Sequence, residues 1–171
     1  MHVGGLNITN IKASLIESES DCNILTRTIY GEARGATDLD KRAVAWVIKN
    51  RATAAKAYLE KHKTPHPNFG TGDIKSACVA RAQFSCWNES DPNYKMISPK
   101  DLFSILDKDT IDGRALKACN AIAQEVISSD EEDPTSGSKH YFMQKRILPY
   151  WLFGKTPALT TKAHLYYNDV S

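Results

Sequence analysis

Two short stretches hold residues whose type and spacing suit chemistry. In Tyr30-Gly31-Glu32-Ala33-Arg34-Gly35 a carboxylate stands between glycines, where the apolar repeat of Ile24, Leu25, Thr28 and Ile29 runs out. That repeat has helical spacing, so Glu32 is expected near the end of a helix that starts at about Asp21 and stops at Gly31 or Gly35. There it meets the negative end of the helix dipole and apolar neighbours, and both raise a carboxyl pKa. A glutamate held protonated near neutral pH can deliver a proton to a leaving oxygen. Spacing alone leaves open, and by itself favours, a surface glutamate paired with Arg34. The other stretch is Asp21-Cys22 at the start of the same helix. The positive end of a helix lowers a thiol pKa, so Cys22 with His140 or His164 beside it would form the nucleophile of a cysteine amidase or endopeptidase. With no second sign of activation, a buried structural Cys22 is the expectation.

Other signatures are missing. The chain contains no HExxH, GxSxG, phosphate loop or GxGxxG, so metalloprotease, serine hydrolase and nucleotide-binding readings lack their motifs. Cys86, His140 and His164 fit no zinc spacing, and neither a metal nor a cofactor is expected. Cys22, Cys78, Cys86 and Cys119 form no CxxC pair and read mainly as small buried hydrophobes.

The elements that must position these groups are mostly helical. Thr37 or Asp38 is a candidate N-cap, and Leu39, Ala43, Val44, Val47 and Ile48 then repeat as the stripe of a half-buried helix running toward His62. Trp46 belongs to its core side, and Asn50 and Arg51 are expected to cap or pair near the Glu32 loop. KTPHPNFGTGD is a loop by its prolines and glycines. A short helix at residues 74–80, the Gln83–Trp87 stretch, polar NESDPN and a second short helix at residues 101–106 follow. Leu116, Cys119, Ile122, Ala123, Val126 and Ile127 give the clearest 3-4-3 stripe, expected as the central core helix from near Asp112. HYFMQKRILPYW and TTKAHLYYN read as extended segments or a small hairpin.

With 171 residues, 42% of them hydrophobic and 25% charged, the chain suits one soluble globular domain, assigned to residues 20–171 after an N-terminal arm at residues 1–19. A net charge of +2 does not argue for nucleic-acid binding. Membrane insertion is not expected, since no apolar run approaches the roughly 18 residues of a span. The first residues lack a signal-peptide core, which predicts a protein held in the cytoplasm of the producing cell and acting after release; a monomer is expected. Lys41, Arg42, Lys49, Arg51, Lys56, Lys61 and Lys63 outnumber Asp38, Asp40 and Glu60 along one helix, a solvated face that would modestly favour an anionic surface.

TIYGEARGA, AVAWVIKNR, QFSCW, His140-Tyr141, PYW at 149–151 and AHLYYN follow one another in the order of motifs found in the cell wall hydrolase family typified by spore-cortex-lytic enzymes. The chain resembles that family over residues 22–168. The resemblance implies an α+β, predominantly helical, lysozyme-like fold with a small β portion, peptidoglycan as substrate, and Glu32 as general acid and base. It implies a groove lined by Gln83, Phe84, Ser85 and Trp87 of the QFSCW motif. Aromatic rings suit the C–H faces of sugars, so Trp87, Tyr141, Trp151 and Tyr166 are candidate platforms, each with a core position as its alternative. Tyr30 and His140 complete the candidate substrate contacts. Asp38, Asp40, Glu89 and Asp91 could each supply a second carboxylate, but none lies in a matched motif. The resemblance therefore suggests one glutamate, protonating the oxygen between N-acetylmuramic acid and N-acetylglucosamine and then activating the sugar's 6-hydroxyl or water. That is a lytic transglycosylase or a muramidase in an endolysin-like role. Lys162-Ala163-His164-Leu165-Tyr166-Tyr167 departs from the family's pattern, in which a Gly precedes the last His and Phe-Tyr follows it, so no role is carried over to His164. The rivals are the cysteine enzyme built on Cys22 and His140, and a non-catalytic wall-binding domain.

Overall fold

The computed structural model describes residues 8–128, 131–144 and 146–170. Helix α1 spans Ile8–Ser18 and α2 spans Asp21–Ala33, where the Ser20 hydroxyl accepts the Asn23 N–H at the N-terminus. Helix α3 covers Asp38–His62. Thr37 caps its start by accepting the Asp40 N–H, and Lys63 ends it in the left-handed region at φ 61° with its N–H on the Leu59 carbonyl. Helix α4 is Ile74–Val79, capped by Asp73, and a 3-10 turn follows at Ser85–Trp87. Helix α5 is Tyr94–Ile97, a second 3-10 turn is Leu102–Ile105, and α6 is Ile111–Ser128. The aromatic C-terminal third folds into β1 (His140–Met143), β2 (Leu159–Thr160) and β3 (His164–Tyr167), an antiparallel sheet in the order β1-β3-β2. His140 lies opposite Tyr167 and Met143 opposite His164. The fold is thus α+β and predominantly helical, as the sequence patterning implied.

The central helix is α2, which corrects the expectation for α6. Residues 24–31 of α2 are all buried, and α3, α4, α5 and α6 pack around them. The apolar stripe of α2 is diluted because three polar residues were accommodated inside: Thr26 and Thr28 donate to the Cys22 and Ile24 carbonyls, and Arg27 donates to the Ile97 and Pro99 carbonyls and to Glu19. Helix α6 keeps a clean stripe because its other face is wet; Leu116, Cys119, Ile122, Ala123 and Val126 are its buried side.

Residues 8–18, read from sequence as part of an arm, form α1, whose Leu15 joins the main core at 2% exposure with Ile11 packed beside it. Lys75 ties the end of α1 down through the Ile16 and Glu19 carbonyls. Residues 1–7 of the expected arm lie outside the described residues. The sheet joins the helices through a smaller apolar cluster of Ala43, Val47 and Tyr166. Among the described residues no helix is long and apolar enough to cross a membrane.

Candidate active site

An open cleft of about 770 Å³ runs between the end of α2, the turn around Ser85 and the β1–β3 face of the sheet. Glu32, in the last turn of α2, stands half-buried in its wall. Its Oε1 accepts the Cys86 N–H at 3.3 Å, and the Tyr141 hydroxyl lies 3.5 Å from Oε2. Burial pushes the Glu32 pKa up, and although hydrogen bonds from Cys86 pull against it, the charge of Asp91 adds to the rise and the net shift is upward. Burial and the neighbouring Glu32 also push the Tyr141 hydroxyl well up, so Tyr141 stays a protonated donor.

The glycine before Glu32 has a packing reason. A Cβ on Gly31 would sit 2.7 Å from the Cys86 Cβ and 2.9 Å from its Sγ, so only glycine lets the Ser85–Trp87 turn lie close enough to bring the Cys86 N–H onto the carboxyl. Arg34 does not pair with Glu32; its Nη1 donates to Asn93 Oδ1 at 2.7 Å, and both line the cleft. Arg51, from α3, donates to the Lys139 carbonyl at 2.7 Å and to Gln83 Oε1 at 3.2 Å. Its guanidinium lies over the rings of Phe69 and Phe84, at 5.1 and 4.9 Å from their centroids.

Of the residues singled out from sequence, the cleft gathers Glu32, Gln83, Ser85 and Tyr141. Four aromatic candidates are core residues instead. Trp87 is buried with its indole N–H on the Thr28 hydroxyl at 3.0 Å, and Phe84 is buried beneath Arg51. Tyr30 is 1% exposed in the centre of α2, and Tyr166, fully buried, turns its hydroxyl to Asp40. His140 lies against both Phe69 and Trp151, and neither His140 nor Trp151 is in the cleft lining. Burial and the charge of Arg51 lower the His140 pKa to about 4, so its ring is neutral.

Cys22 sits at the far end of α2 from Glu32, ten residues or about 15 Å along the axis. Burial raises its thiol pKa, the opposite of what a nucleophile needs. Among the described residues Glu32 is the only carboxylate lining the cleft. Asp38 and Glu89 are exposed, Asp91 accepts the Asn93 N–H within its own loop, and Asp40 is buried against the sheet. No group of three or more His, Cys, Asp or Glu among them is placed to hold a metal.

Patterning did not single out Asn88, Asn93, Phe142, Met143 and Arg146 as site residues, and it weighed His164 only beside Cys22 or in a zinc site, yet all six line the cleft. Asn88 and Asn93 come from the segment between the Ser85–Trp87 turn and α5, beside the end of α2. Phe142, Met143, Arg146 and His164 come from β1, β3 and the loop after β1, and docking of the sheet brings these four to Glu32.

The architecture defines a predominantly helical α+β domain that sets one perturbed carboxyl in an open, polar cleft. Its family follows from sequence: the model of the cell wall hydrolase family matches residues 35–167, and the chain belongs to that family. The match takes in α3 through β3 and begins just after Glu32. No curated protein and no solved structure matches the chain. Family membership makes it a peptidoglycan-degrading hydrolase of the cell wall.

Proposed function

We propose that the enzyme cleaves the glycan strand of peptidoglycan between N-acetylmuramic acid and N-acetylglucosamine, with Glu32 as its one catalytic carboxyl. The observation that carries this reading is that Glu32 combines a raised pKa with a place in the cleft wall that no other carboxylate among the described residues shares. Protonated Glu32 donates its proton to the bridging oxygen as the bond to the sugar breaks and an oxocarbenium-like centre develops. The resulting carboxylate then takes a proton from the nucleophile. If that nucleophile is the sugar's own 6-hydroxyl, a 1,6-anhydro product leaves, as in a lytic transglycosylase; if it is water, the enzyme is a muramidase. Tyr141 and the Cys86 N–H hold the carboxyl in place and remain hydrogen-bonded to it when it is charged.

The cysteine reading loses its support in the half-buried, raised-pKa thiol of Cys22. Clearing of purified cell walls by wild type, Glu32→Gln and Cys22→Ala separates the readings. Glu32→Gln is expected to lose about 10²–10⁴-fold in rate, the usual worth of a general acid, and Cys22→Ala to retain activity. Loss confined to Cys22→Ala would establish the amidase, and an inactive wild type would establish a binding domain. Mass spectrometry of the released fragments then reads the chemistry: a product lighter by one water is the anhydro sugar, and reducing ends alone mark hydrolysis.

A further inference from the structure

His164 opens β3 and lines the same cleft as Glu32, with its side chain only 8% exposed. Behind it lies Asp40, a carboxylate with no exposure at all. Asp40 Oδ1 is 3.1 Å from His164 Nδ1 and also accepts from the Thr161 hydroxyl; the Tyr166 hydroxyl lies 3.3 Å away, and Thr37 reaches Oδ2 at 3.2 Å. Burial alone would raise the Asp40 pKa, but the hydrogen bonds from Thr161 and His164 outweigh it and hold the carboxyl below its ordinary value. An ionised carboxylate only accepts, so the proton between the two groups sits on Nδ1. A neutral imidazole so held carries its lone pair on Nε2.

Two further contacts hold the residue, one on its backbone and one on its ring. The His164 backbone N–H donates to the Thr161 hydroxyl at 3.0 Å, and the Tyr141 ring meets the imidazole edge-on, at 4.9 Å between centroids and 82° between planes. Tyr141 is the residue whose hydroxyl reaches Glu32, so carboxyl and imidazole border the same tyrosine. Among the described residues His164 Nε2 has no hydrogen-bond partner, and it is not among the sealed, unpartnered atoms of the interior. Five side chains converge to hold an acceptor whose own partner must come from the cleft.

We propose that His164 is a substrate-contacting residue that accepts, through Nε2, a hydrogen bond from a donor on the glycan, either a sugar hydroxyl or an acetamido N–H. Asp40 is its positioning residue. The inference rests on the reading of this cleft as the glycan site.

The test is binding of a soluble tetrasaccharide of alternating N-acetylglucosamine and N-acetylmuramic acid to the Glu32→Gln protein, measured by calorimetry so that turnover does not intervene. His164→Asn places an amide N–H where Nδ1 was, keeping the bond to Asp40, and leaves nothing at Nε2. It is expected to weaken Kd about tenfold, the upper worth of one hydrogen bond, with little change in melting temperature. His164→Gln instead places its amide oxygen near the Nε2 position; it is expected to recover most of the affinity while melting earlier, because Asp40 loses its partner. Parental affinity in His164→Asn, or no recovery in His164→Gln, overturns the proposal. Failure of the parent Glu32→Gln protein to bind the tetrasaccharide overturns the cleft reading itself. Repeating the comparison with acetate esters in place of the acetamides names the donor: a persisting loss in His164→Asn assigns a hydroxyl, and a vanished one assigns the acetamido N–H.

Discussion

Glu32 occupies a place that suits its protonated form better than its charged one, and stability should register this. Its folded pKa is raised by burial, so its contribution to stability is fully present below the ordinary glutamate value and is lost as pH rises through the folded value. Glu32→Gln removes the charge and with it that loss. The variant is expected to melt above wild type at neutral pH, with the gap closing as pH falls below the ordinary glutamate range; thermal melts followed by circular dichroism across pH would show it. An unchanged gap at every pH would mean that ionisation of Glu32 carries no folding penalty. Gly31 bears on the same carboxyl from the backbone side. Gly31→Ala puts a methyl into the Cys86 side chain and 3.0 Å from Ile97 Cγ2, an overpacking expected to cost about 1–3 kcal/mol. Because the Ser85–Trp87 turn must retreat, the Cys86 N–H leaves Glu32, and wall-clearing activity should fall further than the lost stability alone explains.

Among the elements, the α1–α2 junction is held by an ion pair of unequal burial. Arg27 has no side-chain exposure and Glu19 has 15%. Glu19→Ala leaves the guanidinium with only the Ile97 and Pro99 carbonyls, and stranding one member of a buried pair costs roughly 3 kcal/mol. Denaturant melts of Glu19→Ala should show that loss, with wall binding unaltered because the junction is remote from the cleft lining. The same elements show what a sequence can reveal. Helix α3 was legible because Thr37 caps it and its stripe is regular, and so was the placement of Glu32 at the end of α2. The centrality of α2 was obscured because Thr26, Arg27 and Thr28 are satisfied by carbonyls and by Glu19, partners that periodicity does not register. In the QFSCW motif, Gln83 and Ser85 reach the cleft while Phe84 and Trp87 turn inward. A ring suits a sugar face and a core equally well, so residue type alone cannot say which side of a 3-10 turn faces water. Phe142 and Arg146 carried no local signal, and His164 none that pointed to Glu32, because their role depends on segments more than a hundred residues from Glu32 docking against α3.

At the scale of the whole molecule, the cleft exists because α3 holds the sheet against the helical body at two places. Near its middle, Asn50 donates to Asp133 and to the Ser138 carbonyl, and Arg51 donates to the Lys139 carbonyl, fixing the approach to β1. Near its start, Asp40 gathers Thr161, His164 and Tyr166 from the segment that forms β3 and its turn. The second junction turns on one fully buried carboxylate held ionised by its partners, so it should respond to acid. The folded pKa of Asp40 is depressed, so its contribution is present above the ordinary aspartate value of about 3.9 and is lost as pH falls through the folded value. Hydrogen exchange on acidification is therefore expected to accelerate at the β3 amides, Leu165 to Tyr167, before it does in α2, whose core pairing does not involve Asp40. Asp40→Asn, which cannot ionise, should flatten that pH dependence while lowering stability at neutral pH. Parallel acid limbs in wild type and Asp40→Asn would mean that packing of Ala43, Val47 and Tyr166, and not the carboxylate, holds the sheet. The two carboxyls bordering Tyr141 and His164 thus move in opposite directions, Glu32 upward and Asp40 downward. Between their pKa values the cleft has a proton to give and a sheet that is still tethered, and activity against cell walls should peak in that window.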